Sequence, residues 1–174
     1  MKINFNVWHT TKGGGARYIF EVSNRLVDMG HDVTITAMSG DHGWFNVKAK
    51  VNYIPIPKQL SWLKPLGIYT KYRFGRQLRL LDVWHIVHMF TLKRIKMDLT
   101  RLFTDSMPEC DINIATFGYT VDPVYKSGKG IPFHYVQGYD PTMIKSKYER
   151  NIILQAFRLP VRKLVVSRWL QRKI

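Results

Sequence analysis

The opening 38 residues restrict the fold more than any other part of the chain. Lys2 to Trp8 alternates apolar and polar residues and is rich in Ile, Phe and Val, which is the pattern of a strand. A polar, glycine-laden turn follows, His9-Thr10-Thr11-Lys12-Gly13-Gly14-Gly15. Then Ala16, Ile19, Phe20, Val22, Leu26, Val27 and Met29 recur at helical spacing, and Gly30 stands where a left-handed C-cap would stop the helix. Asp32 to Met38 reads as a second strand. A strand, a glycine turn, a helix and a strand in that order open a parallel sheet, because the crossover returns the chain alongside its first strand.

The same rhythm continues, with a less regular middle. Val47 to Ile56 reads as a third strand, ending at Pro55 and Pro57. Trp62 to Leu81 and Ile86 to Phe103 read as helices with basic outer faces. Asp111 to Phe117 is a strand, Thr120 to Lys126 a short helix, Pro132 to Gln137 a strand and Ser146 to Phe157 a helix. Leu164 to Ser167 is a last short strand, and Arg168 to Ile174 begins a helix. The expected fold is α/β, a Rossmann-like parallel sheet flanked by helices, formed as a single domain over residues 1–174. A helix that begins as the sequence stops suggests a domain cut from a longer protein.

Charge is the unusual bulk quantity. Lys and Arg number 27 against 12 acidic residues, a net +15. They cluster in Lys58 to Arg79, Lys93 to Arg101, Lys145 to Arg150 and Arg158 to Lys173, which favours a basic face over even scatter. Such a face attracts phosphorylated ligands, anionic lipid or nucleic acid, and part of it serves solubility alone. The longest apolar run, Val83 to Phe90, falls far short of the ~18 residues that span a bilayer. The first residues do not have the pattern of a secretion signal, and Cys110 has no second cysteine to pair with. Together these lead to an expectation of a cytoplasmic chain.

Three glycines between a strand and a helix let backbone N–H groups approach an anion at the positive end of the helix dipole. The plainer alternative is a tight connection that needs positive φ. A dinucleotide site also wants G-x-G-x-x-G and an acid at the end of the second strand. The sequence has Gly13-Gly14-Gly15-Ala16-Arg17 and a strand ending Thr36-Ala37-Met38-Ser39, without the acid. A P-loop fails too, since Gly128-Lys129 is followed by Gly130. Neither G-x-S-x-G nor H-E-x-x-H is present. His85 and His88 are spaced to share a helix face, but with no supporting acid or Cys a packing or surface role outweighs a metal site.

The run from Gly13-Gly14-Gly15-Ala16-Arg17 through Gly30-His31-Asp32-Val33-Thr34 resembles the opening of family 4 (group 1) GT-B glycosyltransferases. Cys110-Asp111-Ile112-Asn113-Ile114-Ala115-Thr116 looks like the fourth strand of that family. Tyr135-Val136-Gln137-Gly138-Tyr139-Asp140 resembles a Tyr-x-Val-Gln-x-Tyr-Glu stretch of a bacterial and archaeal subset. Phe157-Arg158-Leu159-Pro160 and Val165-Val166-Ser167-Arg168-Trp169-Leu170 resemble the closing Ser-x-Trp-Leu element of the amino-terminal domain. The resemblance covers both ends of the chain in order and leaves residues 57–105 uncovered.

The resemblance implies an enzyme of two Rossmann-like domains facing across a cleft, with transfer of a sugar and retention of anomeric configuration, usually with no bound metal. No cofactor is implied; the donor substrate is a nucleotide-diphosphate sugar, held mostly by a carboxy-terminal domain beyond this chain. The present half would bind the acceptor, a glycan or lipid-linked sugar, and alone would be inactive. Gly13, Gly14 and Gly15 match the turn that approaches the donor diphosphate, with Arg17 able to add charge or to serve as a surface residue. Thr116, Tyr119, Gly138 and Tyr139 would face the acceptor. Many members carry a His after the fifth strand, where this chain has Gln137. Glutamine is no general base, but it can hold a sugar hydroxyl while the leaving phosphate takes the acceptor proton. Asp140, the nearest carboxylate, would orient the acceptor or cap the following helix.

Two other readings compete. A nucleic-acid-binding domain is motivated by the +15 charge and by Trp62, Tyr69, Tyr72 and Phe74 among basic residues, without a recognised motif; on the glycosyltransferase reading no nucleic acid is expected. The other is a stand-alone α/β binding module without catalysis. The leading reading adds an anionic membrane at the inner face of the cell as the partner of the basic segment.

Overall fold

The computed structural model of the chain describes residues 1–55, 99–138 and 147–174. The chain divides into two compact units, one formed by Met1–Ile54 with Phe103–Ile174, the other by Pro55–Leu102. The second falls almost wholly outside the described residues, as do the expected helices Trp62 to Leu81 and most of Ile86 to Phe103. The elements are β1 (Lys2–His9), α1 (Gly14–Asp28), β2 (Asp32–Ser39), β3 (Lys50–Tyr53), α2 (Leu99–Ser106) and β4 (Ile112–Ala115). They continue with α3 (Gly118–Ser127), β5 (Ile131–Val136), α4 (Lys147–Arg158), β6 (Arg162–Val165) and α5 (Arg168–Gln171).

The six strands form one sheet in the order β3-β2-β1-β4-β5-β6, and every neighbouring pair is parallel. The expected α/β, Rossmann-like parallel sheet flanked by helices is therefore present. The chain winds outward from β1 to β3, then returns to the other side of β1 as β4. That reversal opens a crevice beyond the carboxyl ends of β1 and β4, where sheets of this kind bind ligands.

Local signals set the first unit. The α1 helix ends in a Schellman motif: the Gly30 N–H donates to Val27 O (2.9 Å) and the His31 N–H to Leu26 O (3.0 Å), with Gly30 at φ +83°. At the far end Ser167 caps α5, its Oγ accepting from the Leu170 N–H at 3.2 Å.

Two expectations need correction. The third strand is shorter than Val47 to Ile56, because Val47 and Ala49 turn into the core beside α1 instead of joining the ladder. Asn24 of α1 holds that segment, its Oδ1 accepting from the Lys48 N–H at 2.7 Å. The second concerns the last strand, expected over Leu164 to Ser167 and found at Arg162–Val165. In β1, Ile3 through Trp8 are all buried although apolar and polar residues alternate. Helices cover both sides, as parallel sheets require.

On the first side, Ile3, Phe5, Val7, Val33, Ile35 and Ile114 pack with Ile19 and Phe20 of α1. Full burial of a Phe20-sized side chain stabilises by roughly 1.5–3 kcal/mol. On the second side the β1 residues are Asn4, Asn6 and Trp8. Asn4 and Asn6, with Asn113 of β4 and Thr36 of β2, have no solvent exposure and form an amide network. Asn113 Oδ1 accepts from Asn6 Nδ2 (2.6 Å) and Asn4 Nδ2 (3.1 Å), while Thr36 Oγ1 donates to Asn4 Oδ1 (2.9 Å). Asn113 Nδ2 reaches Ser127 Oγ at 3.2 Å. Buried polar groups are tolerable only when satisfied in this way.

Candidate functional site

The crevice is built from the ends of strands and the starts of the helices that follow them. Gly13, in extended conformation (φ −175°), is the N-cap of α1; no side chain caps the helix and its first turn holds no acid. Gly13, Gly14 and Gly15 are exposed. None of them has positive φ, which among the described residues is found at Gly30, Gly40, Gly128 and Gly130. The alternative of a tight connection needing left-handed glycine therefore does not hold at this turn. What these glycines supply is room. A Cβ on Gly14 would meet nothing within 4 Å, and one on Gly15 would lie 3.1 Å from Gln137 Oε1. A ligand can thus come close to the amino end of α1, where the dipole and outward N–H groups favour negative charge.

Gln137 reaches this turn from the other side of the switch point. It follows Val136, the last residue of β5, and its Nε2 lies 3.5 Å from Gly15 O. Residues expected to act together on donor and acceptor are therefore neighbours across the sheet. Gly138 follows Gln137, while Tyr139 and Asp140 lie outside the described residues. Arg17 stands exposed on α1 with its Nε 3.9 Å from Glu21 Oε1, a surface pair worth a few tenths of a kcal/mol.

Thr116 and Tyr119 sit beyond the end of β4. The Thr116 hydroxyl donates to Asn6 O (2.8 Å), and Thr120 Oγ1 accepts from the N–H groups of Thr116 (3.1 Å) and Phe117 (3.2 Å). Thr116 thereby clasps the β4–α3 turn onto β1. Tyr119 is half-buried, its ring 5.3 Å from that of Trp8 and 5.4 Å from that of Phe117. These two residues bracket the end of β1 on the β4 side.

Sequence reading missed a polar cluster on the β2 side. His9 ends β1, and its Nδ1 lies 2.7 Å from Ser39 Oγ at the end of β2. The Tyr53 hydroxyl bridges Thr10 Oγ1 (2.8 Å) and His42 Nδ1 (2.9 Å). Trp44 Nε1 donates to Thr10 O and to Asp41 O, each at 2.9 Å. The cluster pins the polar turn leading to Gly13 and sets an imidazole at the rim. The only available signal was positional: His9 directly follows a strand that points into the crevice.

Other ionisable groups are tuned away from chemistry at neutral pH. Burial, aided by Glu109 and Asp111, pushes the Cys110 thiol up to about 11, which removes it as a nucleophile. His134 is buried in β5 against Phe157 (ring centroids 5.1 Å), and desolvation, with Lys163 nearby, lowers its pKa to about 4. Burial and the neighbouring Tyr18 phenol raise Tyr135 well above the ordinary range. Among the described residues no three His, Cys, Asp or Glu side chains gather to hold a metal ion, and no helix is long and apolar enough to cross a membrane. His85 and His88 lie outside the described residues.

Fold and crevice define a Rossmann-like α/β domain whose switch point joins a glycine turn to the end of β5. No family model matches the chain, and no curated protein matches it.

Proposed function

We propose that this chain is the amino-terminal, acceptor-side half of a retaining glycosyltransferase of the family 4 GT-B type. The observation that carries this reading is the approach of Gln137 to Gly15 beside the open position at Gly14. The sequence resemblance assigns these residues to one reaction, and they lie side by side in the crevice.

The chemistry follows from that arrangement. The acceptor hydroxyl attacks the anomeric carbon on the face from which the diphosphate departs. The bond from that carbon to phosphate oxygen breaks, and negative charge grows on the leaving group. N–H groups at the start of α1 and the helix dipole stabilise that charge where it develops. The acceptor proton passes to the leaving phosphate, so Gln137 need only hold a sugar hydroxyl through its carboxamide. A carboxy-terminal domain supplies the rest of the donor site. The acceptor is a glycan or lipid-linked sugar at the inner face of an anionic membrane, met by the basic segment that lies mostly outside the described residues.

Titration of the ¹⁵N-labelled chain with a nucleoside diphosphate tests the reading. Backbone amide shifts should concentrate at Gly14, Gly15 and Ala16, with millimolar affinity, and should vanish in Gly14→Asp, which places a carboxylate in the anion's position. Shifts confined to the other basic clusters would sink the proposal in favour of non-specific charge attraction.

A further inference from the structure

Helix α1 joins β1 to β2, and in the sheet β4 lies between β1 and β5. At the usual strand spacing β5 stands about 10 Å from β1, so long side chains are needed to join it to α1. Two such contacts are present. Gln137, just beyond β5, brings its Nε2 to 3.5 Å from Gly15 O. Tyr135, two residues earlier, stacks on Tyr18 with ring centroids 5.8 Å apart and planes 18° from parallel. The spacing matches on the two elements. Gly15 and Tyr18 share a face of α1 and lie ~4.5 Å apart along its axis. Tyr135 and Gln137 share a face of β5 and lie ~6.6 Å apart along it. Gly15 meets Gln137 and Tyr18 meets Tyr135, the order expected where a helix runs back antiparallel to its strands.

We propose that Tyr18 and Tyr135 are positioning residues that set the Gln137 carboxamide on the glycine turn, an inference that rests on the role given to Gln137 above. A single contact between a helix and a strand leaves the two free to pivot about it, whereas two contacts fix separation and angle together. Glutamine has three rotatable bonds, and one hydrogen bond of 3.5 Å is too long to hold its side chain in a single rotamer. The ring stack supplies the rest. It keeps α1 so near β5 that a Cβ on Gly15 would come within 3.1 Å of Gln137 Oε1, which confines the carboxamide from the helix side. Among the described residues the buried Tyr135 hydroxyl completes no hydrogen bond, so the contact belongs to the rings and not to the phenol oxygens. Tyr18 is 49% exposed, so its replacement opens no core cavity. A residue of this kind acts on rate more than on stability, because a displacement of about 1 Å at a substrate-holding group is costly in rate.

The experiment uses the 174-residue chain, labelled with ¹⁵N and ¹³C. In the parent, the Gln137 carboxamide protons should show a nuclear Overhauser contact with the Gly15 α protons. Tyr18→Ala puts a good helix former at an exposed site and should leave the melting temperature unchanged while erasing that contact. Tyr18→Phe and Tyr135→Phe, which keep the rings, should retain it. In the complete enzyme, Tyr18→Ala should lower kcat by about 3- to 10-fold with the KM for nucleotide-sugar unchanged. It should add little to Gln137→Ala, because both changes act through one carboxamide. Persistence of the contact in Tyr18→Ala, or its loss in both phenylalanine variants, would overturn the proposal. So would a parental kcat in Tyr18→Ala where Gln137→Ala is impaired. A Gln137→Ala enzyme as fast as the parent overturns it by another route, through the role of Gln137, and is told apart by a carboxamide contact that still depends on Tyr18.

Discussion

Gly118 and Ile153 meet so closely that a Cβ on Gly118 would lie 2.8 Å from Ile153 Cγ1 and 3.0 Å from Cγ2. Gly118 starts α3 and Ile153 is buried in α4, so this contact sets how closely the two helices approach. The clashing atoms branch directly from Ile153 Cβ and cannot swing aside. Gly118→Ala should therefore destabilise the chain by about 1–3 kcal/mol in urea unfolding. Combining it with Ile153→Ala should cost less than the sum of the two single changes, because the second removes the atoms the first strikes.

His134 makes stability depend on pH. Its folded pKa, about 4, lies below the ordinary 6.5, so between those values the unfolded chain binds the proton and the folded chain does not. The contribution is fully present above pH 6.5 and is lost as pH falls toward 4, on the order of 3 kcal/mol in all. His134→Phe keeps a ring against Phe157 and should flatten that part of the curve. Urea midpoints at pH 7 and pH 4.5 for both proteins measure the difference. An unchanged pH slope in the variant would show that other groups carry it.

On the proposed function, the pair Gly15 and Gln137 would separate folding from sugar transfer. Gly15→Ala needs only a few tenths of an ångström from the end of the Gln137 side chain, and alanine favours a helix. Stability should stay within ~1 kcal/mol of the parent, while sugar transfer by the complete enzyme falls as the carboxamide is displaced. Gln137→Ala should lower kcat by roughly 10- to 100-fold with unchanged melting temperature. A kcat equal to the parent's in both variants would remove Gln137 from the reaction.

Asn113 is the acceptor on which two buried amides converge. Asn113→Ala leaves Asn4 and Asn6 short of a partner in a site without solvent, and should cost about 2–4 kcal/mol. Thermal unfolding checks this. Asn6→Ala in the same background should add less than it does alone, since its partner is already gone.

Which parts could be read from the sequence follows from the range of the forces involved. The β1, α1 and β2 segments, with Gly30 as the stop, are written in local periodicity and appear within a residue or two of expectation. The burial of Asn4 and Asn6 was illegible, because alternating polar residues signal a wet face unless a partner more than a hundred positions away supplies hydrogen bonds. Val47 and Ala49 carry the apolar pattern of a strand, but their partner is α1, which no window around them reveals. At the site, the glycine turn and Gln137 were each visible, and their meeting was a tertiary fact. His9, Ser39, His42 and Tyr53 are single polar residues at strand ends, with no period to announce them.

The two outer strands of the sheet bear on how the chain behaves in a crowd. Both β3 and β6 are only four residues long, and they read Lys-Val-Asn-Tyr and Arg-Lys-Leu-Val. An unpaired strand edge is a template on which other chains can add, and short length and cationic side chains are what blunt it. Lys50 at one margin, with Arg162 and Lys163 at the other, oppose the stacking of identical molecules edge to edge. A sheet with two such margins resists edge-to-edge association even at high concentration.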